Sequence, residues 1–210
     1  MKILCSSINA LPESLPSGTR AFTFLEPSSR ADVGRIACGW QRELENSGYA
    51  PSIPVWDFML FCFAVYAADV AVLRNGSADG WTRQIELDIT LNDPGPWEAN
   101  KIIAEEMLRV LSGDFWRLRF LPSGPTPPRG NRRLCDRDCV SLLSGGLDSL
   151  IGGIDATALG RRPIFVSQLA YEDSARQIAY ANALGGGDWH QQWSHKVVFS
   201  GKKETSTRAR

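Results

Sequence analysis

Six consecutive residues in the second half of the chain, Ser144-Gly145-Gly146-Leu147-Asp148-Ser149, combine small, hydroxyl and acidic side chains in a pattern that suits anion binding. The two glycines let the backbone turn tightly and leave no Cβ between the main-chain amides and an incoming ligand. The hydroxyl groups of the two serines can donate further hydrogen bonds. If a helix begins here, its first N–H groups and the positive end of its dipole add to the same site. The pattern therefore predicts a pocket for a phosphate chain.

The residues on either side of this loop indicate which elements position it. Cys139 to Leu143 is an apolar run that predicts a buried strand, and apolar residues recur at helical spacing after the loop. The glycines thus lie where a strand becomes a helix. The residues at helical spacing are Leu147, Leu150, Ile151, Ile154 and Ala158.

Three better-known loops do not fit this sequence. The dinucleotide fingerprint needs G-x-G-x-x-G, whereas Gly145 and Gly146 are adjacent, and the Walker loop needs a lysine that is absent here. A nucleophile elbow needs G-x-S-x-G, which neither Ser144 nor Ser149 satisfies. What remains resembles the pyrophosphate loop of the PP-loop (N-type) ATP pyrophosphatases. A glycine-rich turn before a core helix is the alternative, and the flanking strand and helix favour the PP-loop interpretation.

The order of elements after the loop predicts a parallel sheet. A β-α-β-α-β order implies right-handed crossovers and a ligand site beyond the carboxyl ends of the strands. The loop and Ser167-Gln168 both fall at that edge. The expected elements are a helix ending near Gly160, a strand at 164–167, a helix from Asp173 or Ser174 to Leu184, and a third strand at 196–200.

Further segments resemble the QueC group, the 7-cyano-7-deazaguanine synthases. Phe165-Val166-Ser167-Gln168 lies where that group has its second strand and a following glutamine. Residues 204–210 resemble the serine/arginine motif that QueC-like proteins of anti-phage defence operons carry after the third strand. The first half is similar to the N-terminal region of those proteins, in particular the QueC-like component of Qat systems. The segments concerned are Ala67-Ala68-Asp69, Trp81-Thr82-Arg83 and Leu111-Ser112-Gly113-Asp114-Phe115-Trp116.

This resemblance implies an enzyme that cleaves ATP to AMP and pyrophosphate. A carboxylate, either a small deazapurine or a protein or peptide group, would attack the α-phosphorus, and an amine or ammonia would then displace AMP. Asp148 and Ser149 are the implied catalytic residues, and Asp148 would order the loop or hold Mg²⁺ through water. The implied ATP contacts are the amides of Gly145, Gly146 and Leu147, the hydroxyls of Ser144 and Ser149, the carboxylate of Asp148, the backbone of Val166 and Ser167 at the adenine, and the charges of Arg208 and Arg210.

Two features depart from the QueC pattern. The synthases carry a four-cysteine zinc site late in the sequence, and no zinc site is expected in this chain. The sequence stops at Arg210, just inside the third motif, whereas a PP-loop sheet of about five strands would need two more strands and their helices. The chain is therefore expected to be a truncated product or a fragment of a longer protein, with weak nucleotide binding or no turnover of its own.

The expected fold class is α/β, with an N-terminal α+β domain at 1–121, a Pro/Gly/Arg linker at 122–134 and an incomplete PP-loop domain at 135–210. The apolar segment 55–73 predicts a buried helix that runs into a short strand. It is not expected to be a membrane anchor, because its uncharged core is too short to span a bilayer. The other expected elements are a strand at 21–25, a helix at 32–46, a strand at 81–91, a helix at 97–111 with Ile102, Ile103, Met107, Val110 and Leu111 inward, and a strand at 115–121.

Charge and cysteine content limit the expected partners. Lysine plus arginine and aspartate plus glutamate both number 23, so the net charge is zero and no nucleic-acid or membrane partner is expected. The five cysteines are expected as thiols in a reducing compartment. The start of the chain turns polar too soon for a signal peptide, so the expected location is the cytoplasm.

Three classes of function stay open at this point. The first is the adenylating enzyme described above. The second is a PP-loop tRNA-modifying enzyme, which predicts a cysteine pair near the nucleotide or a strongly basic face. The third is a non-catalytic nucleotide-binding partner in a complex with other defence-operon proteins.

Overall fold

The computed structural model describes residues 1–38, 44, 50–128, 135–169 and 172–204. Arg208 and Arg210, expected to bind phosphate, therefore lie outside the described residues. The chain divides into two compact units. The first comprises Met1–Ala37, Ala50–Arg129 and Lys196–Arg210, and the second comprises Cys38–Tyr49 and Gly130–His195.

Nine strands and five α-helices make up the described part of the chain. The strands are β1 (Lys2–Ser6), β2 (Thr19–Phe24), β3 (Val33–Cys38), β4 (Gln84–Thr90), β5 (Phe115–Leu121), β6 (Cys139–Leu142), β7 (Pro163–Gln168), β8 (His190–Trp193) and β9 (His195–Val198). The helices are α1 (Ile53–Ala71), α2 (Gly95–Ala99), α3 (Lys101–Ser112), α4 (Leu147–Ala158) and α5 (Ser174–Ala183).

A six-stranded sheet with the order β5-β4-β1-β2-β3-β9 forms the first unit. β1 pairs in parallel with β2 and β4, β2 with β3, and β4 with β5. The expectation of an α+β domain was therefore wrong, and this region is α/β. Parallel neighbours need long crossovers, which α2 and α3 provide between β4 and β5. Parallel strands are usually joined by helices, and residues 7–18 and 25–32 carry no α-helix between the early strands. This is why the sequence suggested an α+β domain.

Most elements expected in the first unit are present, with one clear exception. β2, β4 and β5 confirm the strands, α1 confirms the long apolar helix, and α2 with α3 confirm the helical segment after Pro94. The helix expected from residue 32 is wrong over Val33–Cys38, which is a strand. Pairing of Val33 with Ala21 and full burial of Ile36 show that sheet formation overrides the helical spacing of the apolar residues there. The strand expected after α1 is absent among the described residues, because the chain enters a 3₁₀ turn at Arg74.

Helix α3 turns its acidic side toward the sheet. The Glu105 carboxylate accepts the Leu118 N–H at 2.8 Å, and Glu98 of α2 accepts the Phe120 N–H at 3.0 Å. Both amides belong to the edge strand β5, so the carboxylates occupy donors that another strand could otherwise use. The apolar residues expected to face inward are instead 43% to 86% exposed, and these are Ile102, Ile103, Met107, Val110 and Leu111.

A buried carboxylate, Asp114, holds three segments of the first unit together. Arg74 and Arg83 bind it at 2.9 and 2.5 Å, and Arg83 also binds Asp69 at 2.6 Å. Both guanidinium groups donate further hydrogen bonds to main-chain carbonyls. Burial alone would raise the pKa of Asp114, but the hydrogen bonds from Arg83 and the charges of both arginines outweigh burial and lower this pKa. Asp114 therefore stays ionised and paired in the folded unit.

The beginning of the expected linker is docked on the first unit. The Pro125 carbonyl accepts hydrogen bonds from Trp56 Nε1 at 2.7 Å and from Asn92 Nδ2 at 3.0 Å. Gly124 donates its N–H to the Leu91 carbonyl at 3.0 Å, and a Cβ on Gly124 would lie 2.7 Å from the Leu91 backbone. Glycine is required there because two chain segments touch through their main chains.

The second unit contains a three-stranded parallel sheet with the order β6-β7-β8. Its core joins Leu143, Phe165 and Ala181, so that the helices lie on the face of the sheet that Phe165 occupies. On the opposite face Val140 and Leu142 are 64% and 73% exposed. The strand expected to be buried is therefore buried on one side only, because both crossover helices cover the same face.

The third strand of this sheet differs from the one expected. β8 pairs in parallel with β7, with His190 opposite Phe165. The segment expected as the third strand contains β9, which joins the six-stranded sheet beside β3. The sequence His190-Gln191-Gln192-Trp193 shows almost no alternation of apolar and polar residues. A strand could therefore not be predicted there.

Helix α1 has the length and composition of a membrane span, with 19 residues and a mean hydropathy of 1.6. Half of its most apolar window is buried inside the protein. Residues such as Leu60, Ala64 and Ala67 are fully covered by the first unit. The helix is thus compatible with a core element of a soluble protein.

The buried network predicts a large effect of removing its central charge. In an Asp114→Asn variant, buried Arg74 and Arg83 would both lose the carboxylate that joins them, and Arg83 would keep its pair with Asp69. Removing one partner of a buried ion pair typically costs about 3–5 kcal/mol. We expect the urea midpoint of the first unit, followed by tryptophan fluorescence, to fall clearly. Asp32→Asn is the control, because it breaks the exposed pair with Arg30 and should leave the midpoint unchanged. Equal midpoints for wild type and Asp114→Asn would contradict the central role of this carboxylate.

Candidate functional site

The loop at residues 143–146 connects the end of β6 to the start of α4. Gly145 has a φ of +92°, a left-handed conformation in which an L side chain is strained. Gly146 is the N-cap of α4, with an extended backbone at φ −85° and ψ 167°. The strand and the helix predicted on either side of the loop are both present, so the backbone makes the turn that a phosphate loop needs.

The two serines of the loop bind each other. Ser149 Oγ accepts the Ser144 N–H at 3.2 Å, lies 3.1 Å from Ser144 Oγ, and donates to the Gly146 carbonyl at 2.9 Å. Ser144 Oγ also accepts the Gly146 N–H at 3.3 Å. In this arrangement the hydroxyls brace the loop from within. Their expected role as donors to phosphate stays a prediction, and it requires them to exchange these internal partners for a ligand.

The other loop groups lie at the surface. Ser144, Gly146, Leu147 and Asp148 are exposed, whereas Gly145 is buried against α5. The first-turn amides of a helix have no intrahelical acceptor, and here they lie beyond the carboxyl end of β6. A helix of 12 residues adds its dipole at the same point. An anion can therefore reach these amides from solvent.

Val166 and Ser167, expected to meet adenine, connect the loop to the central strand β7. The Val166 carbonyl accepts the Leu143 N–H at 2.8 Å. Ser167 Oγ donates to the Leu143 carbonyl at 2.5 Å and lies 2.8 Å from His190 Nε2. These contacts fix the residue at which the chain enters the loop. Adenine binding by these groups stays a prediction.

A buried glutamine, Gln177, bonded to the half-buried Gln192, supports the loop from the side of α5, and sequence reasoning missed both residues. Gln177 is 1% exposed, and its Nε2 donates to the carbonyls of Ser144 at 3.0 Å and Gln168 at 3.1 Å. Its Oε1 accepts from Gln192 Nε2 at 2.8 Å. The one available signal was the position of Gln177, four residues before the buried Ala181 on the same side of the helix.

The first turn of α5 brings two charges to the loop that were also missed. Arg176 Nη1 donates to the Gly145 carbonyl at 3.4 Å, and its Nη2 lies 3.1 Å from the Asp173 carboxylate. A Cβ built on Gly145 would lie 3.3 Å from Asp173 Cβ. The loop and the beginning of α5 therefore form one packed unit.

A metal ion would need ligands beyond the protein side chains at this loop. Asp148 is exposed in the first turn of α4, and no group of three or more His, Cys, Asp or Glu side chains within the described ranges could hold a metal ion. Asp148 could hold Mg²⁺ together with phosphate oxygens and water, which is the usual arrangement for this ion. Cys5, Cys62, Cys135 and Cys139 form no disulfide, and burial raises the pKa of the Cys5 thiol, which makes it unreactive.

A cavity of about 840 Å³ lies in the first unit, away from any residue expected to be functional. Arg20, Asp79, Thr82, Arg83 and Lys202 are among its polar lining residues. Hydrogen bonds from the Thr82 side chain and from nearby main-chain N–H groups lower the pKa of Asp79 to about 2. Of the cationic lining residues, Arg83 is already paired within the buried network.

The sheets and crossover helices define an α/β protein with mostly parallel strands. Comparisons with protein-family models, curated proteins and solved structures find no match for this chain. A family assignment is therefore a proposal that rests on the loop and the residues around it.

The loop conformation predicts a specific requirement for glycine at position 145. Gly145→Ala would place a side chain at φ +92° and against Asp173 and Gln177, which typically costs about 1–3 kcal/mol. We expect a lower urea midpoint for the second unit. Gly152→Ala is the matched control, because a Cβ there meets open space in the interior of α4 and alanine favours helix. If both variants were as stable as wild type, the left-handed conformation of Gly145 would be disproved.

The contact between Ser167 and His190 predicts a pH dependence of stability. Burial lowers the pKa of His190 from its ordinary value of 6.5, so the folded unit favours the neutral ring. The stabilisation is fully present above the unfolded pKa and is lost as the pH falls below it through the folded pKa. We expect the urea midpoint of the second unit to fall between about pH 7.5 and pH 5.5. The fall should be smaller in His190→Gln, and an identical fall in both proteins would refute this origin.

Proposed function

We propose that the second unit is the nucleotide-binding part of a QueC-like PP-loop ATP pyrophosphatase. Such an enzyme activates a carboxylate with ATP and releases AMP and pyrophosphate. The observation that carries this proposal is the open glycine turn at Gly145 and Gly146, which presents the first amides of α4 beyond the carboxyl end of a parallel strand. In parallel α/β sheets, this is the edge at which phosphate ligands bind.

The proposed reaction begins with attack of a substrate carboxylate oxygen on the α-phosphorus of ATP. A new bond forms between that oxygen and phosphorus, the bond to the bridging oxygen breaks, and pyrophosphate leaves with the electron pair. An amine or ammonia then attacks the acyl carbon, and AMP departs as a carbon–nitrogen bond forms. The loop needs to stabilise the charge that develops on pyrophosphate, which is a task for preorganised donors. We assign this task to the amides of Gly145, Gly146 and Leu147, of which the Gly146 N–H would exchange Ser144 Oγ for a phosphate oxygen.

The loop carboxylate has a separate role in this proposal. Asp148 stands next to the loop amides and would bind Mg²⁺ through water, while the phosphate oxygens supply further ligands. The ion, when bound, neutralises charge on the phosphates. Ser149 would keep the loop in shape through its bonds to Ser144 and Gly146. The catalytic contribution of Ser149 would thus be positional unless ATP replaces one of these partners.

The wider setting follows from the resemblance alone. We propose a cytoplasmic protein of an anti-phage defence system, acting on a deazapurine carboxylate or on a protein or peptide group. The segments that suggest this setting include Asp69, Arg83 and Asp114, and these residues form the buried network of the first unit. The network accounts for their place in the fold and leaves the setting to be tested.

Exchange of labelled pyrophosphate into ATP tests the proposed reaction. We expect exchange when the protein is supplied with ATP, Mg²⁺ and a deazapurine carboxylate, and a loss of at least about tenfold in Asp148→Ala. Asp155→Ala is the matched control, because Asp155 is an exposed aspartate two turns further along α4. Equal exchange in the two variants would remove Asp148 from the mechanism. Nucleotide binding by the wild-type protein without exchange would instead support a non-catalytic partner.

A further inference from the structure

We propose that Arg176 is the cation that binds the β and γ phosphates at this loop, and that Asp173 and Gln177 hold it in place. This inference rests on the proposed function and adds to it the residue that neutralises the leaving pyrophosphate. The loop contributes amides and hydroxyls but no cationic side chain, because the sequence from 144 to 149 contains no lysine or arginine.

The distribution of basic residues around the sheet singles out Arg176. Within residues 135–169 and 172–195 the arginines are Arg137, Arg161, Arg162 and Arg176, and there is no lysine. The first three precede β6 or β7 and therefore lie at the amino ends of these parallel strands. Arg176 follows β7 and is the one basic side chain that the described part of the unit places at the carboxyl ends.

Arg176 is already in contact with the loop. One of its amino groups donates to the Gly145 carbonyl at 3.4 Å, and the other pairs with Asp173 at 3.1 Å. The Gly145 carbonyl would repel an anion, so the guanidinium offsets an unfavourable dipole at the entrance to the site. A guanidinium has five N–H donors, and at least two therefore remain for phosphate oxygens after these contacts.

Two further residues hold the Arg176 side chain and its backbone near the loop. Asp173 lies one turn before Arg176 on the same side of the helix and pairs with it. Gln177, the next residue, is bonded to the Ser144 carbonyl, so the backbone that carries Arg176 is fixed against the loop. The side chain itself is 53% exposed and can turn toward a ligand in solvent.

The test compares two arginines of the intact chain. Arg176→Gln and Arg161→Gln remove side chains of nearly equal exposure, 53% and 54%, that both pair with an aspartate, at opposite ends of the strands. Binding of ATP, inorganic pyrophosphate and AMP is measured by calorimetry, and the midpoint of urea unfolding is measured alongside. We expect Arg176→Gln to weaken ATP and pyrophosphate binding at least about tenfold, with AMP affinity and unfolding midpoint unchanged. Arg161→Gln should match wild type for every ligand.

The outcomes distinguish a failure of the role of Arg176 from a failure of the proposed nucleotide-binding loop. Wild type that binds ATP and pyrophosphate, together with an Arg176→Gln variant that binds them equally well, overturns the role of Arg176 and leaves the loop assignment intact. An equal loss in Arg176→Gln and Arg161→Gln also overturns it, because the effect would then be one of overall charge. Wild type that binds neither ligand overturns the loop assignment and this inference together.

Discussion

The backbone must change from an extended strand to a helix between Leu142 and Leu147, and the proposed chemistry of the second unit depends on how it does so. Gly145 adopts a conformation that other residues avoid, and the carbonyls of Ser144 and Gly145 both point to α5, where Gln177 and Arg176 receive them. Two successive carbonyls are thereby turned to one side of the loop. The Gly146 N–H is bonded to Ser144 Oγ, and the exposed residues Leu147 and Asp148 begin the first turn of α4. The donors on α5, Gln177 and Arg176, hold these carbonyls and are thus as necessary as the glycine.

The two units solve the problem of buried polarity in different ways. The first buries a net-neutral set of charges around Asp114, in which each guanidinium is bonded to carboxylates and main-chain carbonyls. The second buries a neutral amide, Gln177, beside its loop and bonds it to the half-buried Gln192. Neutral amides carry no net charge of their own, so the potential at the loop is set by the helix dipole and the nearby ionised groups. Neutral amides beside the loop add no negative charge that would repel an anion.

Much of this fold could be predicted from local sequence, and the failures share one cause. The loop and its flanking elements, the strand at Phe115–Leu121 and the long apolar helix all have strong local patterns. β3 and β8 were missed because each depends on a neighbouring strand. The inward face of α3 was predicted wrongly, because Leu108 is its buried residue and Glu105 bonds to β5. Arg176 and Gln177 could not be assigned, since their partners lie more than 30 residues away.

The carboxylates bonded to the edge strand β5 have a consequence for assembly. Outer strands are templates for unwanted polymerisation, since an identical chain can continue the ladder from one molecule to the next. At Leu118 and Phe120 the outward amides are already saturated by acids from α3 and α2. A strand added at these two amides would have to displace the carboxylates of Glu105 and Glu98 first.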